Sequence, residues 1–377
     1  MTIPKSPTSA RYAGPPTPDG VAARLGIPVE RIVKLDANES PYGPPPAALA
    51  ALAEFARTAG GGRYPDAAAD TLRGALAVYT GVAAEHIAVG NGSDELIPLL
   101  AELLLEPGDE VVVSEPTFGV YAMVATRRAA HARDAGRGGE DFTPDPERIV
   151  AAMNTNTRIV FLCGPNNPTG TPLPRETLLA VLARADELGR HGDGPVVVLD
   201  EAYYEIAALG GDPGAWTAAP LVNKGRRLVV LRTFSKLFGL AGLRVGYALC
   251  SPDLARDLRE RKQPFNVNSA GQIAAVAALK DMPWLRERAV ALRVERERLF
   301  AALSVFSDLH TFPSSANFLL VRAESGDDAV PLWEALLDHG VMVRRFSGER
   351  MRPYLRITVG TPAQSDRLLE ALTAIFA

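Results

Sequence analysis

One lysine, Lys236, sits in the run TFSKLFGLAGLRVGY, between hydroxyls at Thr233 and Ser235 and eight residues ahead of Arg244. A lysine amine attacks an aldehyde only in its neutral form and only when its neighbours hold it, whereas hydroxyls and a guanidinium suit a phosphate anion. The set reads as a site for Schiff-base chemistry on an aldehyde cofactor. Lys236 would be the nucleophile, with Thr233, Ser235 and Arg244 as phosphate partners. Taken alone, Ser235-Lys236 also fits a basic surface turn after a strand, so the rest of the chain must decide.

Three upstream segments carry matching chemistry. The run PVVVLDEAYY ends an apolar β-branched stretch on Asp200, with Tyr203 three residues on. Such a stretch reads as a strand buried on both faces, with its polar end where open α/β sheets keep their sites. A carboxylate there pairs with a protonated pyridine nitrogen, although a strand-terminal helix cap explains Asp200 equally well. In RIVFLCGPNNPTG a second apolar run enters a rigid turn, and Asn167 can donate its amide to a phenolate oxygen. In AVGNGSDELIPLLAELLL, glycines lead into a helix whose first turn holds Ser93, Asp94 and Glu95. Free N–H groups at such a helix start bind an anion, and Gly92 lets it approach; a plain capped start fits too. Between these lies PTFGVY, where Phe118 or Tyr121 could stack on a planar ring or belong to the core.

In chain order these motifs resemble the fold-type I PLP-dependent aminotransferases, and within them the histidinol-phosphate aminotransferase branch. The resemblance runs from KLDANESPYGP near Lys34, through RYPD at Arg63, to YLRITVG at Tyr354, and includes PFNVN and SSANFLLVR. It implies pyridoxal 5'-phosphate as cofactor. Lys236 would hold it as a Schiff base and then carry the proton between the substrate α-carbon and the cofactor. Asp200 would hold the pyridine nitrogen, and Tyr203 with Asn167 the ring oxygen. Thr233, Ser235, Arg244 and the loop of Gly92, Ser93 and Asp94 would hold the phosphate, with Phe118 against the ring. Tyr64 resembles the tyrosine that reaches the neighbouring subunit's phosphate, which implies a homodimer with shared sites.

For substrate, the resemblance implies Arg356 as the α-carboxylate arginine, and a guanidinium fork suits that task better than an ammonium. Arg344 matches the arginine that meets the substrate phosphate, and Arg345 beside it leaves the register open by one residue. Tyr12 and Asn38 complete the expected substrate contacts. The implied reaction is ping-pong transamination from histidinol phosphate to 2-oxoglutarate, giving imidazole acetol-phosphate and glutamate. An aromatic or other amino-acid aminotransferase, or a PLP decarboxylase, would use the same scaffold; a non-enzymatic PLP-binding protein is a more distant alternative.

These residues need a scaffold. Strand-like runs at 110–114, 158–163, 196–200, 227–232 and 245–250 alternate with helical stretches, the pattern of a mostly parallel sheet covered on both faces. The expected fold is α/β, with a large domain over 36–271 and a smaller α+β domain from 1–35 and 272–377; the resemblance to fold-type I implies a mostly parallel, seven-stranded type of sheet in the large domain. From about Gln272 the chain reads as a long connecting helix, with strands expected near 317–322, 341–344 and 354–359. The stretches 190–195 and 205–226 read as surface loop extensions.

With 377 residues, 47% hydrophobic and 22% charged, the chain is long enough for two cores and has the composition of a globular protein. A net charge of −4 argues against a nucleic-acid scaffold. The five histidines lack metal-ligand spacing, so no metal is expected. Cys163 and Cys250 each end an apolar run and read as buried free thiols in a reducing compartment. With no apolar signal segment at the start, the expected location is cytoplasmic.

Overall fold

The computed structural model describes residues 16–58, 60–189, 194–324 and 326–377. Among these residues run twelve strands: β1 (Val33–Leu35), β2 (Ile87–Asn91), β3 (Glu110–Val113), β4 (His131–Asp134), β5 (Thr157–Cys163), β6 (Val196–Asp200), β7 (Leu228–Thr233), β8 (Val245–Leu249), β9 (Leu309–Thr311), β10 (Phe318–Ala323), β11 (Val341–Arg345) and β12 (Tyr354–Thr358). Seven of them form one sheet in the order β2-β8-β7-β6-β5-β3-β4. Every neighbouring pair from β7 to β4 is parallel, and β8 runs antiparallel to both β7 and β2.

The residues explain this sheet. β5, β6 and β7 read TRIVFLC, VVVLD and LVVLRT, and almost every position is buried. Such runs need helices on both faces. On one face Val160, Leu162, Val197, Leu199 and Val230 pack with Leu178, Val181 and Leu182 of the helix Arg175–Leu188. On the other, Ile159, Phe161, Val198, Val229 and Leu231 pack with Leu96, Ile97 and Leu100 of the helix Ser93–Leu104. Each fully buried Leu, Ile or Val side chain contributes roughly 1.5–3 kcal/mol, so the two layers fix the strand ends firmly relative to one another.

The second sheet has the order β1-β11-β12-β10-β9, parallel only between β1 and β11. An early strand therefore joins strands from the last seventy residues. Leu35, Leu319, Val343 and Leu355 of this sheet pack on Leu299 and Leu303 of the helix Met282–Leu303 and on Leu368 and Leu372 of Pro362–Phe376.

Two expectations need correction. The helical stretch from Gln272 is two helices, Ser269–Ala278 and Met282–Leu303, and Pro283 starts the second in the first turn, where its missing N–H costs nothing. The stretch 205–226 is not a surface loop. It contains the helices Tyr204–Gly210 and Ala219–Val222, and buries Glu205, Ile206, Ala207, Ala218 and Val222. Its small residues serve close packing: a methyl group on Gly210 would lie 3.1 Å from the carbonyl oxygen of Ala289 in the neighbouring long helix. Here small residues let two helices approach. Of 190–195, residues 190–193 lie outside the described residues.

Candidate active site

Asp200 closes β6, Asn167 follows β5 by four residues and Lys236 follows β7 by three. The parallel register sets Cys163 beside Asp200 and Asp200 beside Leu231, so these chain segments emerge together at the carboxyl edge of the sheet.

Asp200 is buried, and both oxygens are held. Oδ2 accepts from the Tyr121 hydroxyl at 2.7 Å and Oδ1 from the Ala202 N–H at 2.9 Å. Burial pushes its carboxyl up to about 6, against the opposing pull of those two hydrogen bonds. Tyr203 accepts at its hydroxyl from Asn38 Nδ2 at 2.9 Å, and burial pushes its phenol up to about 12. Asn38 is fixed in turn by one hydroxyl: Thr358 Oγ1 accepts from the Asn38 N–H at 2.9 Å and donates to Oδ1 at 3.1 Å. The left-handed backbone this demands, φ 55°, is one asparagine tolerates.

Lys236 Nζ lies 3.4 Å from the carbonyl oxygen of Ala37 and 5.6 Å from the centre of the Tyr203 ring. Burial lowers its ammonium to about 8, with the Arg356 guanidinium as the next cause. An amine held there is neutral in a useful fraction near pH 7–8, which is what attack on an aldehyde requires.

Arg356 bridges the two sheets. Its Nη1 donates to Asn167 Oδ1 at 2.7 Å and its Nη2 to the carbonyl of Asp36 at 2.9 Å. Across β11 and β12, Arg344 is the register partner of Arg356, so both guanidinium stems leave the same face of the sheet. Arg345 leaves the other face and stacks over Trp333 at 4.8 Å.

A second cluster stands at the other end. Ser235 Oγ accepts from Arg244 Nη1 at 3.2 Å and from the Thr233 hydroxyl at 3.0 Å, and Thr233 Oγ1 accepts from the Ser235 N–H. Arg244 Nη2 donates to the Asp94 carboxylate at 2.7 Å. Gly92 caps the helix Ser93–Leu104 at φ 77° with no side-chain cap, and a methyl group on it would lie 2.5 Å from Arg244 Nη2. Opposite, a methyl group on Gly246 would lie 2.2 Å from the Ser93 nitrogen. Two hydroxyls, a guanidinium and a bare helix start thus converge, the donor set of an anion cradle.

Phe118 meets Tyr121 edge-on at 5.6 Å, and Tyr121 is stacked on Phe161 at 4.7 Å, buried in the core. Tyr64 is 82% exposed and stacked on Phe265 at 4.6 Å. Tyr12 lies outside the described residues. Sequence reasoning missed the bond from Tyr121 to Asp200 and the clamp of Thr358 on Asn38. The aromatic spacing in PTFGVY signalled the first weakly; nothing local to Thr358 signals the second, because its partner is 320 residues away.

Against known proteins, the family model described as aminotransferase class I and II matches residues 30–372. Histidinol-phosphate aminotransferase of Roseiflexus castenholzii is 43% identical over 94% of this chain and 92% of its own length. The chloroplastic histidinol-phosphate aminotransferase of Nicotiana plumbaginifolia is 42% identical over 93% of this chain and 81% of its own. The crystal structure of histidinol-phosphate aminotransferase from Sinorhizobium meliloti in complex with pyridoxal 5'-phosphate superposes with a TM-score of 0.85 at 27% identity, covering 100% of this chain and 98% of that one.

Proposed function

This chain belongs to the class I and II aminotransferases, and we propose that it transfers the amino group of histidinol phosphate to 2-oxoglutarate, using pyridoxal 5'-phosphate. The observation that carries the substrate reading is the pairing of Arg344 with Arg356 on one face of the smaller sheet. Histidinol phosphate has no α-carboxylate, so this pair would accept a phosphate from the donor and carboxylates from 2-oxoglutarate and glutamate. The 39–43% identity to relatives bearing that name supports the same substrate.

The residues fit the cofactor. Its phosphate suits the cradle of Gly92, Ser93, Asp94, Thr233, Ser235 and Arg244; the Asp94 carboxylate is already engaged by Arg244, so its backbone N–H is what would serve the anion. Asp200 suits a protonated ring nitrogen, and the Tyr203 hydroxyl with the Asn167 amide suits a ring oxygen. Arg356 occupies Oδ1 of Asn167, which leaves that side chain its NH₂ as a donor. Phe118, edge-on to Tyr121, would lie against the ring.

When bound, pyridoxal 5'-phosphate supplies an aldehyde for amine exchange and a ring that withdraws electrons from the substrate's α-carbon. Lys236 Nζ would hold the cofactor at its aldehyde carbon, and the same amine would serve as the base that takes the substrate's α-proton and later gives it back. Asp200 keeps the electron demand of the ring high by remaining ionised. Arg344 and Arg356 orient donor and acceptor in turn, so the two substrates share one site in a ping-pong cycle. Asn38 acts by holding Tyr203.

The active form we propose is a homodimer, in which the exposed Tyr64 reaches the partner's phosphate cradle. We take 36–271 and the combination of 1–35 with 272–377 as its two domains. No helix among the described residues is long and apolar enough to cross a membrane. The two cysteines are buried free thiols, which supports a cytoplasmic setting.

Mixing the cofactor-loaded protein separately with histidinol phosphate, phenylalanine and glutamate, and following the change of the cofactor's absorbance in a single turnover, tests this reading. Rapid exchange with histidinol phosphate and glutamate is expected. Exchange with phenylalanine and not with histidinol phosphate would move the enzyme to aromatic amino acids.

A further inference from the structure

We propose that Tyr121 is a positioning residue for the reaction, holding the Asp200 carboxylate ionised and correctly turned toward the ring nitrogen of the cofactor. The inference rests on the cofactor reading above.

Three observations carry it. Asp200 lies within the interior, 4% exposed, and the Tyr121 hydroxyl is one of only two hydrogen-bond donors to it among the described residues, at 2.7 Å. The second, the Ala202 N–H, holds the opposite oxygen. Two donors on two oxygens fix the carboxylate plane, and loss of either lets it rotate. Tyr121 itself has no freedom to move: its ring is fully buried, stacked on Phe161 and edged by Phe118.

The energetics agree. A buried carboxylate without donors takes up a proton, and a protonated Asp200 cannot neutralise a pyridinium. The groups facing Asp200 electrostatically are Tyr121, Cys163, Tyr203, Lys236 and Asp94, with Arg137 behind Tyr121 and Cys163. Tyr121 and Lys236 favour the anion and Asp94 opposes it. Cys163 and Tyr203 are themselves held neutral by burial. Tyr121 is the side chain among these that does so by direct contact. Its phenol is pushed well above its ordinary value by burial and by Asp200, so it remains a donor at all working pH values.

The test is Tyr121→Phe, which keeps the ring and its stacking. Infrared difference spectra of the full chain without added cofactor, with Asp200→Asn as the subtraction, follow the Asp200 carboxyl directly. The expected result is a protonation midpoint raised by about one pH unit. Pyridoxal 5'-phosphate affinity, read by fluorescence titration, should fall about fivefold at pH 6 and recover almost fully by pH 8.5, where the carboxyl is ionised in both proteins. In the Asp200→Asn background, adding Tyr121→Phe should change affinity less than about twofold, because Tyr121 acts through Asp200. An unmoved midpoint, a loss of affinity equal at both pH values, or a further tenfold loss in the Asp200→Asn background would each overturn the proposal. If the unaltered protein took up no pyridoxal 5'-phosphate, the cofactor reading would fail while the infrared midpoint still decided whether Tyr121 controls Asp200.

Discussion

Arg356 donates to Asn167 Oδ1 at 2.7 Å, and through that one bond the smaller sheet grips the turn that follows β5 in the larger one. The same guanidinium donates to the Asp36 carbonyl, beside the segment that carries Asn38 and Ala37. One side chain therefore ties β12 to the turn after β5 of the larger sheet and to the residue that follows β1.

Replacing Arg356 with lysine keeps the charge and removes the fork. An ammonium cannot serve Asn167, Asp36 and a substrate carboxylate in one plane. A charge-assisted hydrogen bond contributes about 1.5–3 kcal/mol, so kcat/KM for glutamate should fall about 10- to 100-fold, mostly through KM. Steady-state kinetics with glutamate decide it; an unchanged KM would remove Arg356 from carboxylate recognition.

The neighbouring strand separates two adjacent arginines by function. Arg344 shares the face of Arg356, and Arg345 stacks on Trp333. Arg344→Ala should raise KM for histidinol phosphate by about 100-fold, the scale of one lost phosphate contact. Arg345→Ala should leave KM within about twofold and lower the melting temperature slightly, since an exposed cation–π contact contributes about 0.5–1 kcal/mol. The reverse pattern would place the substrate phosphate on the other face of the strand.

The alternation of strand and turn was enough to read the large sheet, because β5, β6 and β7 announce burial on both faces residue by residue. That Asp200, Asn167 and Lys236 share one edge of the sheet was legible for the same reason, since each lies at or within four residues of the end of a buried strand. Contacts that join distant segments were not legible. Thr358 reaches Asn38 and Arg356 reaches Asn167 across hundreds of residues, and only the pairing of β10, β11 and β12 brings them there. The stretch 205–226 misled because small residues carry two opposite meanings, flexible exposure or tight packing, and the long helix it packs against lies about eighty residues on.

Lys236 makes a prediction about stability. Its ammonium titrates at about 8 in the folded protein and at 10.5 when unperturbed, so the folded state disfavours the charged form. The cost is full below pH 8, shrinks between pH 8 and 10.5 and is absent above. A difference of about 2.5 units corresponds to roughly 3 kcal/mol, an upper scale for the relief on substitution. Lys236→Met should therefore abolish transamination and raise the melting temperature of the cofactor-free protein at pH 7 by several degrees. Repeating the melt at pH 9.5 should show a smaller gain; a gain constant with pH would mean that packing, not charge, is responsible.

Gly92 tests the phosphate cradle from the backbone side. It is held at φ 77°, a region that side-chain-bearing residues rarely adopt, and a methyl group there would lie 2.5 Å from Arg244 Nη2. Alanine must therefore both strain the chain by about 1 kcal/mol or more and push Arg244 away from Ser235 and Asp94. The displaced guanidinium is the one charged donor in the cradle, so pyridoxal 5'-phosphate affinity should fall by about 100-fold, while pyridoxal, which lacks the phosphate, should bind about as well as before. Fluorescence titration with both molecules separates the two effects. Equal losses for pyridoxal and its phosphate would mean that Gly92 shapes the whole site and not the anion cradle alone.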